Sequence, residues 1–314
     1  MSSYPDWRLA FVLPNLCLGQ HHRSPSELTL GLEGIAIVPA SDPRVGKITK
    51  WSEAAKRFLG SFHDGNGNAI TPAVLIARED WHSGIIGSPE AVIAFRNAVA
   101  VASILPFRAV LQNGGWLGVS WSEAFDYHPA RLRLDGSKFD SWTPALNSIG
   151  FRLKGLSLTP DLRVPRTHLC HTDTLLAERL GQVWYRRYRR RIDRHRSARV
   201  FRSLEMAYEG LGMRFRSYSS LSEVGLNAVP WVTSMEVLAS PEQRLVTKWD
   251  CARLIGQHEF SDPRLRSRKH WVKDKKGRRH MNLAQRMFVR LYEARNKFVH
   301  GDRVSAKLLL TPGK

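Results

Sequence analysis

The stretch Leu291-Tyr292-Glu293-Ala294-Arg295-Asn296-Lys297-Phe298-Val299-His300-Gly301-Asp302 decides how the carboxy-terminal half is read. Leu283, Met287, Leu291, Ala294 and Phe298 recur at spacings of three and four, which predicts a helix over residues 281–300 with these side chains on one face. Gly301 suits the left-handed position that closes such a helix. Just before that end sit Arg295, Asn296 and His300. Arginine is permanently charged and forks onto phosphate oxygens. Histidine titrates near neutrality and can shuttle protons, and asparagine offers both a donor and an acceptor. A helix C-terminus favours protonated imidazole, which suits His300 to general acid work or charge stabilisation.

Five residues at about 100° each place Arg295 and His300 about 140° apart around a regular helix. They share a face only if the last turn distorts, or if a second chain brings a matching pair across a twofold axis. The plainer reading makes His300 a capping residue and Arg295 a surface cation.

With its surroundings, the motif resembles the signature of the HEPN superfamily. These are all-helical domains whose third core helix ends in an Arg-polar-x3-His motif, matched here by Arg295-Asn296-x3-His300 and Gly301. Leu291-Tyr292 and Phe298-Val299-His300-Gly301-Asp302 resemble in particular the Apea-like branch found in bacterial and phage-defence proteins. Trp231-Val232-Thr233-Ser234-Met235-Glu236-Val237-Leu238 is similar to the family's early helix, in which an acid sits in an apolar run. A buried carboxylate is costly unless paired, so Glu236 either contacts Arg295 or is a half-exposed structural residue. The resemblance covers roughly residues 170–314 and leaves 1–160 without a counterpart. Residues 302–314 include Pro312-Gly313, so any last helix is expected to be short.

The resemblance implies a metal-independent endoribonuclease with no cofactor, acting as a homodimer that pairs two motifs in one cleft. His300 would assist proton transfer as a ribose 2′-hydroxyl attacks the adjacent phosphodiester. Arg295 would neutralise charge on the transition state and Asn296 would position groups. The setting it implies is antiphage (antiviral) defence or toxin–antitoxin growth arrest, with an antitoxin or sensor protein as a further partner.

The net charge of +20 is concentrated near this region. Residues 184–202 and residues 264–279 each carry nine basic residues and one acid, together 16 of the excess charges. The first cluster interleaves with Trp184, Tyr185 and Tyr188, the second with Trp271. Guanidinium groups suit phosphates and rings suit bases, so the expected RNA contacts are Arg186, Arg187, Arg189, Arg190, Arg191, Arg194, Lys273, Lys275, Lys276, Arg278 and Arg279. tRNA is among the RNAs to be considered. The alternative for each cluster is a solvated helix face. A DNA-binding regulator would draw on the same charge, but no helix-turn-helix is recognisable near residues 184–202.

The amino-terminal half has a different texture. Residues 9–18, 28–38 and 73–77 are short apolar stretches punctuated by Pro, Gly and Ser, as strands are. One helix is expected over residues 89–105, with Ser88 as N-cap, Pro89 at its first position and Glu90 in its first turn. Residues 115–158 read as short strands and loops. Residues 160–165 hold two prolines and mark a boundary, beyond which helices are expected over 173–196, 198–212, 230–256 and 281–300.

Other chemistries lack their motifs. Asp64-x-Asn66-x-Asn68 opens like a calcium loop, but Ala69 and Leu75 replace the required Gly and Glu, which leaves a Gly/Asn hairpin turn. His168-x-Cys170-His171, followed by Asp173, has metal-ligand residue types but no second pair at zinc spacing. No P-loop, dinucleotide fingerprint, His-Glu-x-x-His or Gly-x-Ser-x-Gly is present. Cys17, Cys170 and Cys251 are too scattered for a disulfide framework. The longest apolar run, residues 91–105, is interrupted by Arg96-Asn97 and is too short to span a bilayer. The start carries Asp6 and Arg8 rather than a leader pattern, so a cytoplasmic protein without a membrane partner is expected.

The expectation is therefore an α+β chain: a mixed α/β amino-terminal domain over 1–160 and an all-α HEPN-like helical bundle over 166–314. The expected activity is a nuclease of the hydrolase class cleaving RNA. The alternative is a catalytically inactive HEPN-like module that binds RNA or a partner protein.

Overall fold

The computed structural model describes residues 6–19, 24–50, 52–64, 66–81, 88–113, 124–126, 128–129, 131–132, 139–140, 150–151, 167–168, 171–192, 194–213, 220–240, 245–267, 270–274 and 277–309. The chain opens with β1 (Trp7–Leu13), β2 (Leu16–Cys17), β3 (Ile35–Pro39), α1 (Pro43–Lys50), α2 (Glu53–Leu59), β4 (Ala73–Arg78), α3 (Glu79–Trp81) and α4 (Pro89–Asn113). Five two-residue strands follow: β5 (His128–Pro129), β6 (Arg131–Leu132), β7 (Phe139–Asp140), β8 (Gly150–Phe151) and β9 (Thr167–His168). Next come α5 (Thr174–Trp184), which continues into a π-helical turn (Tyr185–Arg189), then α6 (Arg194–Gly212), α7 (Leu221–Ala239), α8 (Lys248–Gly256) and α9 (Pro263–Arg266). A hairpin of β10 (His270–Asp274) and β11 (Gly277–Met281) precedes α10 (Leu283–Val299) and α11 (Ala306–Leu309). The fold class is α+β, with two compact units, Met1–Ser197 and Ala198–Lys314.

In the first unit, β3, β4, β1 and β5 form an antiparallel sheet in that order. Leu9 and Val12 both join the core made with Val45, Ile48, Ala55 and Phe58 of α1 and α2. Strict alternation would put residues three apart on opposite faces. A bulge between Leu9 and Phe11 resolves this by resetting the register. Leu13, Ile35, Ile37 and Leu75 are buried too, which explains why these strands read as continuous apolar runs.

Ser88 accepts from the Ala91 N–H at 3.4 Å, in keeping with its expected capping role. The helix then runs to Asn113, past the expected end at 105. Pro106 lacks an N–H, which frees the carbonyl of Ala102 four residues back. The Asp173 N–H donates to that carbonyl at 2.9 Å, so the chain beginning α5 repairs the ladder. Arg96 and Asn97 are both buried, and Arg96 Nη1 donates to the Phe125 carbonyl at 2.9 Å. Among the described residues, no helix is long and apolar enough to cross a membrane.

The expected boundary at 160–165 lies outside the described residues. Helix α5 belongs to the first unit: Trp184 is fully buried, meets the Phe95 ring edge to face and donates from Nε1 to the Ala91 carbonyl at 2.8 Å. The expected helix over 173–196 is interrupted beyond the π turn, where Arg191 adopts a left-handed φ of 56°. Residues 63–64 and 66–69 belong to the expected turn. Asp64 accepts from the Asn66 and Asn68 N–H groups, each at 2.9 Å, and His63 bridges Ala69.

In the second unit, α7, α8 and α10 pack against one another. The expected single helix over 230–256 is two helices. Ser220 and Glu223 form a capping box that starts α7, and Thr247 with Asp250 forms another that starts α8. The basic segment expected as a loop is the β10–β11 hairpin, with Gly277 at φ 121° opening β11 opposite Asp274. On α10 the buried residues are Phe288, Val289 and Ala294, whereas Met287 is exposed, so the core face is rotated from the expected one. The rotation follows from having α7 and α8 as neighbours at once: Phe288 and Leu291 meet Val232 and Cys251, and Val289 meets Ala252 and Met281.

Candidate functional site

Helix α10 positions the motif and is fastened at both ends. At its start, Asn282 accepts from the Gln285 N–H at 2.8 Å, and Gln285 returns a side-chain oxygen to the Asn282 N–H at 3.0 Å. The same Gln285 donates from Nε2 to the Ala252 carbonyl of α8 at 2.7 Å, which sets the rotation of the helix. At its end, Gly301 takes φ 77°, the left-handed value its place in the sequence implied. Its N–H donates to the Phe298 carbonyl at 3.1 Å, and the Asp302 N–H reaches the Lys297 carbonyl at 2.7 Å. These two bonds make a Schellman closure, with His300 as the C-cap residue. Close approach of α7 supports this turn: a Cβ added at Gly225 would lie 2.7 Å from Phe298 Cβ.

Arg295 faces inward. Its Nη2 is ion-paired and hydrogen-bonded to Glu236 Oε1 of α7, and its guanidinium carbon lies 4.7 Å from the Tyr292 ring centre. The side chains are 16% and 23% exposed, which leaves little water to compete for either charge. Arg295 Nε is buried and has no hydrogen-bond partner among the described residues. Burial, then the hydrogen bond and charge of Glu236, push the Tyr292 phenol up to about 12. Burial also raises the Cys251 thiol to about 12, with the charges of Glu236 and Asp250 adding to it. Two neutral, proton-holding groups therefore flank one carboxylate and one guanidinium.

His300 faces the other way. Its side chain is exposed and makes no hydrogen bond or ion pair among the described residues. Because α10 stays α-helical to Val299, the offset of about 140° from Arg295 is preserved, with about 7.5 Å of rise between them. Asn296 is half-buried, and its carbonyl accepts the His300 N–H at 3.0 Å. Within one chain, Arg295 is brought together with Glu236 and Tyr292, not with His300. Tyr292 was given no role from the sequence, although a residue three before Arg295 on a helix is its neighbour.

The basic residues divide between the units. In the first, Arg187 donates to Glu90 at 2.7 Å, and Arg189 donates to the Asp80 carbonyl at 2.7 Å and lies 5.6 Å from the Trp81 ring centre. These two are held within the protein. Arg190 lies over Tyr185 at 5.4 Å, and Arg186 and Arg191 are exposed. Arg194 begins α6, and its side chain lies outside the described residues. In the second unit Arg278 is exposed, and Arg279 stacks 4.8 Å from the Trp249 ring centre. Lys273 pairs with Arg278 in the hairpin register, whereas Lys275 and Lys276 fall outside the described residues.

Of the weak metal motif, Cys170 lies outside the described residues, and Asp173 caps α5 by accepting from the Leu176 N–H at 2.9 Å. Among the described residues, no group of three His, Cys, Asp or Glu side chains could hold a metal ion. No protein-family model, curated protein or solved structure matches the chain.

Proposed function

We propose that the chain is a metal-independent endoribonuclease of HEPN type, with Arg295, Asn296 and His300 as its catalytic residues. The observation that carries this reading is the end of α10. There a permanently charged side chain is held by a carboxylate from another helix, and five residues later an exposed imidazole, without a hydrogen bond or ion pair among the described residues, stands at the helix terminus. In the proposed reaction the ribose 2′-oxygen bonds to the adjacent phosphorus and the bond to the 5′-oxygen breaks. The 2′-hydroxyl proton leaves to a base and the departing 5′-oxygen takes up a proton, with His300 serving in this transfer. The ends are a 2′,3′-cyclic phosphate and a 5′-hydroxyl. Arg295 offsets charge on the phosphorus oxygens. General acid–base catalysis contributes about two to four orders of magnitude in rate, and one lost charge-stabilising donor costs about two to three.

The opposed directions of Arg295 and His300 favour a site completed by a second copy, so the proposal includes a homodimer through the helical unit. The activity is placed in the cytoplasm, and resemblance to the family supports a setting in antiphage defence or toxin–antitoxin growth arrest, under an antitoxin or sensor partner. Purified protein incubated with total RNA and tRNA in excess EDTA, beside His300→Ala, tests the reading. Cleavage by the parent alone supports it, whereas equal cleavage by both, or by neither, overturns it.

A second reading rests on the pairing of Arg295 with Glu236 and Tyr292, which is how a purely structural arginine is held. On that reading the unit is a non-catalytic module that binds RNA, and Arg295 replacements change stability alone.

A further inference from the structure

A guanidinium group carries its N–H donors in one plane, and the fold uses those of Arg295 unevenly. Nη2 donates to Glu236 Oε1. Nε lies on the same edge of the group, is buried, and meets no acceptor among the described residues. Nη1 makes no hydrogen bond among the described residues either, so it is the nitrogen left for a ligand. A carboxylate facing the Nε–Nη2 edge is well placed to take both N–H groups in a fork. Glu236 takes one.

Tyr292 accounts for the difference. It stands three residues before Arg295, so the two are neighbours on α10. Its ring lies against the guanidinium, 4.7 Å from ring centre to carbon, and also meets Phe288, with ring centres 6.1 Å apart. Its phenol is hydrogen-bonded to Glu236. Tyr292, Glu236 and Arg295 therefore close a triangle in which each side chain touches the other two. An O–H donor on the carboxylate competes with Nε for its lone pairs, while the ring face fixes the plane of the guanidinium.

We propose that Tyr292 is a positioning residue for Arg295, holding Glu236 with its hydroxyl and the guanidinium plane with its ring so that Nη1 is presented to the phosphorus oxygens. This inference rests on the ribonuclease reading above. Tyr292 itself touches no RNA and moves no proton. Without the hydroxyl, Glu236 closes on Nε and Nη2 together, the buried Nε gains an acceptor, and the group turns away from the phosphate. The ion pair is then better satisfied and the catalyst worse. A tyrosine that merely fills space has the opposite signature: its loss lowers stability and leaves the rate of the folded enzyme alone.

Two measurements on the full chain test this. In the first, the Nε–H signal of Arg295 is followed by proton–nitrogen correlation NMR in the parent and in Tyr292→Phe, which keeps the ring and its packing. A downfield move and slower solvent exchange in the variant are expected, as Nε–H acquires its acceptor. In the second, cleavage of a short single-stranded RNA in EDTA is compared among the parent, Tyr292→Phe, Arg295→Ala and the double variant. Tyr292→Phe is expected to lower kcat about tenfold with KM within about twofold, the pattern of an interaction made in the transition state. Because it exchanges one hydrogen bond to Glu236 for another, its Tm is expected to stay within about 3 °C of the parent. In the Arg295→Ala background the same substitution is expected to change the rate by less than about twofold, since Tyr292 acts only through Arg295. An unmoved Nε–H signal, an unchanged kcat, a rise in KM alone, or an equal loss in the Arg295→Ala background overturns the proposal. A parent that cuts no RNA removes the ribonuclease reading and this role with it, whereas an active parent matched by Tyr292→Phe removes the role alone.

Discussion

Replacing Glu236 with glutamine leaves Arg295 with its charge, its hydrogen-bonding fork and the Tyr292 ring, but without a counter-ion. Removing one partner of a fully buried pair costs about 3–5 kcal/mol, whereas an exposed pair contributes about 0–1 kcal/mol. With side chains 16% and 23% exposed, this pair lies between those limits, and a loss of about 2 kcal/mol is expected. For a unit of this size that corresponds to roughly 6–10 °C in the Tm of the transition carrying residues 198–314. Thermal melts of Glu236→Gln, Arg295→Gln and the double variant complete a cycle. Neighbours that interact directly should show a coupling of about 1–2 kcal/mol. If the two substitutions are additive to within about 0.5 kcal/mol, or if Glu236→Gln melts with the parent, Glu236 does not hold Arg295 in solution.

Gly301→Ala meets no atom within 4 Å, so its effect is purely one of backbone conformation at φ 77°. It should cost about 1–2 kcal/mol, measured by urea unfolding, while Gly301→Asn costs less because asparagine tolerates the left-handed region. Asn282→Ala removes a capping box and should lower stability by about 1 kcal/mol in the same assay. Tyr292 is raised from an ordinary 10 to about 12, so its contribution is fully present below pH 10 and is lost as pH rises from 10 to about 12. Cys251, raised from 9 to about 12, behaves in the same way from pH 9 upward. Tyr292→Phe should therefore flatten the loss of stability above pH 10, and an unchanged slope in alkaline unfolding would show that the phenol is not held as described.

The closure of α10 at Gly301 was legible because capping is local chemistry, whereas its core face, expected to include Met287, depends on where α7 and α8 lie. For Glu236 the sequence leaves two readings open, contact with Arg295 or a half-exposed structural carboxylate, and in the fold it pairs with Arg295. The join read through residues 230–256 failed for a different reason. Val232, Met235 and Ala239 recur at spacings of three and four, as Cys251 and Ile255 do at four, and periodicity alone hides a break between the two sets. The capping signal Thr247-x-x-Asp250 was present in the sequence and marks the start of α8. The hairpin was hidden because its charged residues mask the alternation of Trp271, Val272, His280 and Met281. The extension of α4 past Pro106 depends on the Asp173 N–H from a distant segment, which no local pattern announces. The open cleft lined by Trp249 and Arg253 of α8 and by Arg279 of β11 is equally non-local, built from a helix and a strand that only the fold brings together.

The central claim is that α10 ends in a ribonuclease site, and the chemistry of the RNA ends tests it most directly. A short single-stranded RNA would be incubated in EDTA with the parent and with His300→Ala, and its new termini identified by mass spectrometry. The account predicts 2′,3′-cyclic phosphate and 5′-hydroxyl ends from the parent, formed at least a hundredfold faster than by the variant. No new ends, ends of any other kind, or equal rates from both proteins would contradict it.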